Sequence, residues 1–276
     1  MAMEFAINVP NFGEYADPRI TAELARAAEA AGWDGFFVWD HINAAFGEGS
    51  PMADPWVLLA AISMTTERLR IGTMVTPLAR RRPWKVARET VTIDHLSGGR
   101  LILGVGLGHP ADLEFAAFGE EPDDRHRGQR LDEALEVLTG LWGGEPFTFE
   151  GAHYDVTNVQ FLPTPLQRPR IPIWVAQTYP HRRPLVRAAR WDGLVPMHPT
   201  DMFPTPEQVH EMVGIATSLR TVEAPFDVNV PVVLSGDRSG SGRLAREYED
   251  AGATWLQVGA WGIDELRAQI AAGPPR

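Results

Sequence analysis

The chain has 276 residues, 44% of them hydrophobic and 22% charged, with a net charge of -11 and no cysteine. That is a globular composition. Without cysteine it excludes disulfides, a thiol nucleophile, dithiol redox chemistry and cysteine-ligated zinc or iron–sulfur centres, so any redox work falls to a borrowed cofactor. The acidity argues against a general nucleic-acid binder, and no apolar run reaches membrane-spanning length. The N-terminal MAMEFAINVPNFG has neither a basic n-region nor a signal-like apolar stretch, so a cytoplasmic protein is expected.

Strand and helix signals alternate along the whole chain. EFAINV (4–9) predicts a strand closed by Pro10. RITAELARAAEAA (19–31) then predicts a helix stopped by Gly32. GFFVWD (35–40) and residues 53–67 form the next strand–helix pair. LRIGTMVTPL (69–78) follows, with a helix over 83–97 that has Pro83 in its first turn and Gly98-Gly99 at its end. RLILGVGLG (100–108) is the fourth strand and 124–142 a strong amphipathic fourth helix. Residues 147–163 alternate like a β-hairpin, an insertion in the rhythm. IPIWVA (171–176), a helix over 184–191, GLVPM (193–197), a helix over 204–219 and FDVNVPVVL (226–234) continue it, with Pro231 read as a bulge. A helix over 241–252, the strand TWLQVGA (254–260) and a helix over 263–272 close the chain. Eight strand–helix pairs predict a single (β/α)8 TIM barrel over 1–276, with one small hairpin inserted after the fourth helix. The alternative, a doubly wound open sheet, lacks its dinucleotide fingerprint, since the first turn reads VPNFGEYAD.

In such a barrel, chemistry sits on the loops at the carboxyl ends of the strands. Those ends carry Asn11, Trp39-Asp40-His41, Met74-Val75-Thr76, Gly106 to His109, Gln177-Thr178, His198 and Trp261. The set is rich in aromatic, amide and hydroxyl groups and poor in carboxylates. It suits a large planar ring better than two-carboxylate hydrolysis. His41, His109 and His198 fall at strand ends, but the first strand has no HxH pair, so no metal site is expected. Gly106-Leu107-Gly108-His109-Pro110-Ala111 only superficially fits a nucleotide turn, because Pro110 removes a donor. Glycines 104, 106 and 108 either admit a ligand close to the backbone or fit the barrel interior. Arg80-Arg81-Arg82 reads first as a solvated face and second as an anion site. Arg182-Arg183, just after Gln177-Thr178, reads as part of a phosphate site. Thr76-Pro77 is a candidate cis bond. Trp39 and Trp261 are the tryptophans expected to line the cavity, and the others to pack in the core or at interfaces.

The stretch IGTMVTPLARRRPWKVARETVTIDHLSGGRLILGVGLG, with EFAAFGEE, RLDEALEVLTGLW, FEGAHYDVTNVQFLPTPLQRPRIPIWVA and RRPLVRAARWDG after it, resembles the luciferase-like flavin-dependent oxidoreductases. The resemblance runs from about residue 4 to 200. It implies a flavin across the barrel mouth, either FMN or the deazaflavin coenzyme F-420 (F420). Monooxygenase members react reduced flavin with oxygen, and deazaflavin members pass a hydride. The monooxygenase reading with reduced FMN is the first expectation, with a separate flavin reductase as supplier. F420-dependent hydride transfer is the alternative, and a non-catalytic ligand-binding barrel or a metal-dependent hydrolase rank below it. By the resemblance, His41 is the general acid/base or orienter and Asp40 its electrostatic partner. A non-prolyl cis bond backs the ring near Met74-Val75, with Thr76 presenting a hydroxyl. Gly106, Gly108 and His109 line the ribityl and phosphate side, and Gln177, Thr178, His181 and Arg182 form the phosphate loop. Where many members carry Gly-Gly after the fifth strand, this chain has Ala176-Gln177, which narrows the phosphate pocket or adds a donor. Trp39, Asn11, His198 and Trp261 are left to meet a small organic substrate. A homodimer is expected by analogy with the family.

Overall fold

Strands β1 (Glu4–Val9), β2 (Gly35–Val38), β3 (Arg70–Pro77) and β4 (Leu101–Gly106) form the first half of a closed barrel. After the antiparallel hairpin β5 (Phe147–Glu150) and β6 (Asp155–Val159), strands β7 (Ile173–Thr178), β8 (Gly193–Met197), β9 (Asp227–Pro231) and β10 (Trp255–Val258) complete it. Closure runs β1-β10-β9-β8-β7-β4-β3-β2, every neighbour parallel. The computed structural model describes residues 3–43, 49–200, 203–234 and 238–276, without the side chains of Arg182, Arg183 and Arg238.

Helices α1 (Pro18–Ala30), α2 (Pro55–Thr65), α3 (Pro83–Ser97), the short α4 (Ala111–Glu114), α5 (Asp124–Trp142), α6 (Arg182–Ala188), α7 (Pro206–Leu219), α8 (Arg238–Asp250) and α9 (Ile263–Ala272) connect the strands. Local chemistry sets their ends. Asp17, Asp54 and Asp123 cap α1, α2 and α5 by accepting backbone N–H bonds, and Thr205 and Gln208 form a capping box on α7. Gly98, at φ 69°, ends α3 in the left-handed conformation that favours glycine.

Most expected elements are present, with shifted ends. The second strand stops at Val38, leaving Trp39-Asp40-His41 beyond the sheet, and the fourth stops at Gly106. The fifth barrel strand instead runs on to Thr178, which pairs with Met197. Pro231 lies opposite Gln257 as the last residue of β9, so it needs no bulge. The register irregularity is in β3, between Thr73 and Thr76, where the cis bond is Met74–Val75 and not Thr76–Pro77.

Two apolar cores follow from the alternation of the strands. The larger lies between the strands and the helices. The smaller fills the barrel with Ala6, Phe37, Met74, Ile102, Trp174, Val195 and Trp255. Its Phe37, Trp174 and Trp255 rings lie 5.4 to 6.2 Å apart between centroids, a range in which aromatic pairs attract. This plug fills the barrel interior.

Candidate functional site at the barrel mouth

The ends of β2, β3 and β4 meet in a buried network of charged groups. Asp40, 3% exposed, accepts from Arg80 Nη2 at 2.6 Å and from Arg81 Nε and Nη2 at 2.9 and 2.6 Å. The Arg81 pair is bidentate, the geometry that a planar guanidinium makes best with a carboxylate. Arg80 Nη2 also donates to the Asp40 carbonyl, and its Nη1 meets the Glu114 carboxylate. Glu114, 1% exposed, turns its other oxygen to His41, with Nδ1 to Oε1 at 3.0 Å. It also accepts the backbone N–H groups of Ile42 and Asn43 at 3.2 and 3.4 Å.

With two arginines and two carboxylates, this network is balanced while His41 stays neutral. Burial, and then Arg80, push the imidazole down to about 4 against the opposing pull of Asp40. Burial also lowers Arg80, whereas Asp40 overrides burial at Arg81 and holds its guanidinium above its ordinary value.

The backbone is built to hold this arrangement. Asn11, fully buried, donates to the carbonyls of His41 and Ala53 and accepts from the His41 N–H. It therefore braces the chain around His41, and the substrate contact expected of it is corrected. Arg127 on α5 donates to the carbonyls of Leu107 and Gly108 at 2.8 and 2.6 Å and lies over the Phe115 ring. Arg127 thereby fixes the β4–α4 turn that delivers Glu114.

Asp40 acts on His41 only at Coulombic range, and the carboxylate bonded to the ring is Glu114. Thr76 is fully buried and donates to Thr73, which donates to the Gly104 carbonyl, so its hydroxyl is not turned to the mouth. A Cβ at Gly104 would sit 2.2 Å from the Thr73 carbonyl oxygen, and one at Gly106 2.7 Å from Val75 Cγ2. Gly108, at φ 87°, packs under Phe115. These glycines answer the β3 irregularity and the Phe115 ring, so the packing reading holds over close ligand approach. The solvated-face reading of Arg80 and Arg81 is corrected as well: their side chains are 5% and 19% exposed.

Trp39 and Phe12 flank His41, and Trp261 packs on Trp39. Trp39 is 5.7 Å from both the His41 and Trp261 rings, and Phe12 is 6.1 Å from His41. Trp261 is 60% exposed. Across the barrel, Gln177 is buried and its Nε2 donates to the carbonyls of Thr178 and His181. The Oε1 of Gln177 and the Oδ1 of Asn8 are buried without a hydrogen-bond partner among the described residues. His181 and His109 are exposed. His198 stacks on Tyr179 and bonds Thr200 at the end of β8. The expected role of the Arg182 side chain lies outside the described residues. Among the described residues, no three His, Asp or Glu side chains are placed to hold a metal ion, and no helix is long and apolar enough to cross a membrane.

Sequence reasoning missed Glu114 and ranked a solvated face above a site role for Arg80 and Arg81. Two signals were available: consecutive arginines directly after a strand whose neighbour ends in Asp-His, and an acid before the buried Phe115.

A model of the luciferase-like monooxygenase family matches residues 3–213. An F420-dependent glucose-6-phosphate dehydrogenase of Microbacterium testaceum is 35% identical over 166 residues, covering 59% of this chain and 48% of that protein. The chain spans about half the length of the F420-dependent relatives it matches. The uncharacterized protein Rv0940c of Mycobacterium tuberculosis is 32% identical over 256 residues, covering 86% of this chain and 83% of the other. Among solved structures, an F420-dependent secondary alcohol dehydrogenase with an F420-acetone adduct superposes with a TM-score of 0.85 at 17% identity. The coverage is 100% of this chain and 99% of the other. Monooxygenase RslO1 from Streptomyces bottropensis gives a TM-score of 0.73 at 24% identity, over 97% of this chain and 96% of the other. At these identities the structural likeness speaks for the fold.

Proposed function

The chain belongs to the luciferase-like monooxygenase family, and from that premise we propose that it is an F420-dependent oxidoreductase moving a hydride to or from a small organic alcohol, hemiacetal or carbonyl. The observation that carries this reading is the seat of His41, a buried neutral imidazole at the mouth, bonded to a carboxylate and flanked by aromatic rings. Oxidising an alcohol needs a base for the hydroxyl proton beside a hydride acceptor, and a neutral imidazole is such a base. The F420-dependent relatives support deazaflavin over FMN.

The residues present fit a ring of this kind. Met74, Val75, Ala176 and Met197 cover the aromatic plug with an apolar floor. The unpartnered oxygens of Gln177 and Asn8 are acceptors for the imide N–H and hydroxyl donors that such a cofactor carries. Met74, Val75, His109, Gln177, Thr178 and His181 are proposed to hold it. Bound there, F420 supplies the hydride-accepting or hydride-donating centre. His41 takes the hydroxyl proton in one direction and returns it in the other. Asp40, Arg80 and Arg81 keep the loop carrying His41 in place, and Trp39 and Trp261 shield the reacting carbon from water.

Two titrations of the pure protein by fluorescence, one with F420 and one with FMN, test the reading. Binding of F420, followed by its reduction under anaerobic conditions when 2-propanol or glucose 6-phosphate is added, is expected with at least one of the two substrates. Binding of reduced FMN alone, with oxygen-dependent product, would return the site to monooxygenase chemistry supplied by a separate flavin reductase. A second copy of the chain is the proposed partner for the outer face of α2, where Val57 and Met64 are 62% and 70% exposed. Light scattering should give the dimer mass, and a monomer at all concentrations would exclude it.

A further inference from the structure

The geometry points to Glu114 as a positioning residue that fixes the tautomer of His41, so that Nδ1 carries the proton and Nε2 is the basic nitrogen. The inference rests on the proposed base role of His41 for its consequence in catalysis, but the tautomer itself can be read without any cofactor.

Several donors meet one carboxylate. Arg80 Nη1 meets Oε2, the Asn43 N–H and the His41 ring meet Oε1, and the Ile42 N–H reaches both oxygens, at 3.2 and 3.4 Å. Glu114 and Arg80 are 1% and 5% exposed in their side chains. An ionised carboxylate only accepts. Its other partners, the Arg80 guanidinium and the Ile42 and Asn43 N–H groups, are all donors, so the carboxylate accepts throughout and the bond at 3.0 Å is made with hydrogen on Nδ1. With the Glu114 charge balanced by Arg80 and the Asp40 charge by Arg81, a second ring proton is not needed for neutrality. The arrangement parallels in kind the hydrolase triads, where a buried carboxylate holds an imidazole in the useful tautomer.

Glu114→Gln separates a positioning role from simple packing. The amide is isosteric but must present its NH2 group to one side. Turned toward Arg80, that NH2 group faces a buried cation. Turned toward His41, it leaves the carbonyl on Arg80, where the bond is charge-assisted and about twice as strong as a neutral one. That orientation gives up the Asn43 N–H bond at 3.4 Å and leaves the Ile42 N–H its longer contact, 3.4 Å, to the remaining oxygen. The second orientation therefore wins, its N–H donates to Nδ1, and the ring proton moves to Nε2.

The test is nitrogen NMR on protein labelled in histidine, at neutral pH and without cofactor, with the His41 signal assigned by its loss in His41→Asn. Wild type should show a protonated Nδ1 and a bare Nε2, and E114Q the reverse. In single-turnover reduction of F420, E114Q should be roughly 10²- to 10⁴-fold slower, with F420 affinity little changed. In the His41→Asn background, E114Q should have no further effect. A wild-type ring protonated on Nε2 would overturn the inference outright, even if E114Q proved insoluble. An unchanged tautomer in E114Q, or losses from the two substitutions that multiply, would overturn it as well. Failure of F420 to bind would sink the proposed reaction and leave the tautomer result standing.

Discussion

Asp40→Asn removes the charge that holds two guanidinium groups beneath the barrel mouth. Asp40 makes three side-chain bonds of 2.6 to 2.9 Å to Arg80 and Arg81, and the side chains of Asp40, Arg80 and Arg81 are 0%, 5% and 19% exposed. In the variant, Glu114 alone faces two cations, and the amide NH2 points at one of them. Breaking a buried pair by neutralising one partner costs about 3–5 kcal/mol. The partial exposure of Arg81 argues for the lower end, about 3 kcal/mol. For a chain of this size, that is roughly 6 °C or more in Tm. Urea and thermal unfolding monitored through the tryptophans provide the assay. The double variant Asp40→Asn/Arg81→Met removes the surplus cation and should recover a large part of the loss. A single variant within about 1 kcal/mol of wild type, or a double variant less stable than the single, would refute the charge-balance account.

The pKa of His41 is lowered from 6.5 to about 4 in the folded chain, so the unfolded chain takes up the proton first. The stability this group contributes is present above about pH 6.5 and falls away as pH drops toward the lowered folded value. Urea curves at several pH values should therefore show wild type losing more stability on acidification than His41→Asn does. Gly104→Ala sets a Cβ against the backbone carbonyl of Thr73, whereas Gly106→Ala presses on the Val75 side chain and comes into ordinary contact with Ala176. The first should cost more than the usual 1–3 kcal/mol of overpacking and the second should fall within it, as measured by urea unfolding. Trp261→Ala removes a ring that is 60% exposed, so stability should move by less than about 1 kcal/mol. The KM of the organic substrate should rise severalfold in steady-state kinetics.

The fold was legible because each of its signals is local. The apolar runs, proline starts and glycine stops of eight strand–helix units need only neighbouring residues, and the hairpin at 147–163 announces itself by alternation. The family resemblance located the non-prolyl cis bond at Met74–Val75. The charged network was less legible, because it joins Asp40, Arg80 and Glu114 across 74 positions of sequence. Pairing them requires knowing that β2, β3 and β4 end side by side. Asn11 was misread for a related reason: an amide after a strand can face a ligand or brace a loop, and only the distances to His41 and Ala53 decide. Glycines 104 and 106 also serve a neighbour in space, the irregular β3 strand.

The central claim is hydride transfer to F420 with His41 as base. Its most direct test is an anaerobic single turnover with 2-propanol or glucose 6-phosphate deuterated at the carbon to be oxidised. The account predicts that the deuterium is recovered in reduced F420 without oxygen uptake, and that His41→Asn slows the step roughly 10²- to 10⁴-fold. Failure to bind F420, together with oxygen consumption that depends on reduced FMN and survives His41→Asn, would contradict it.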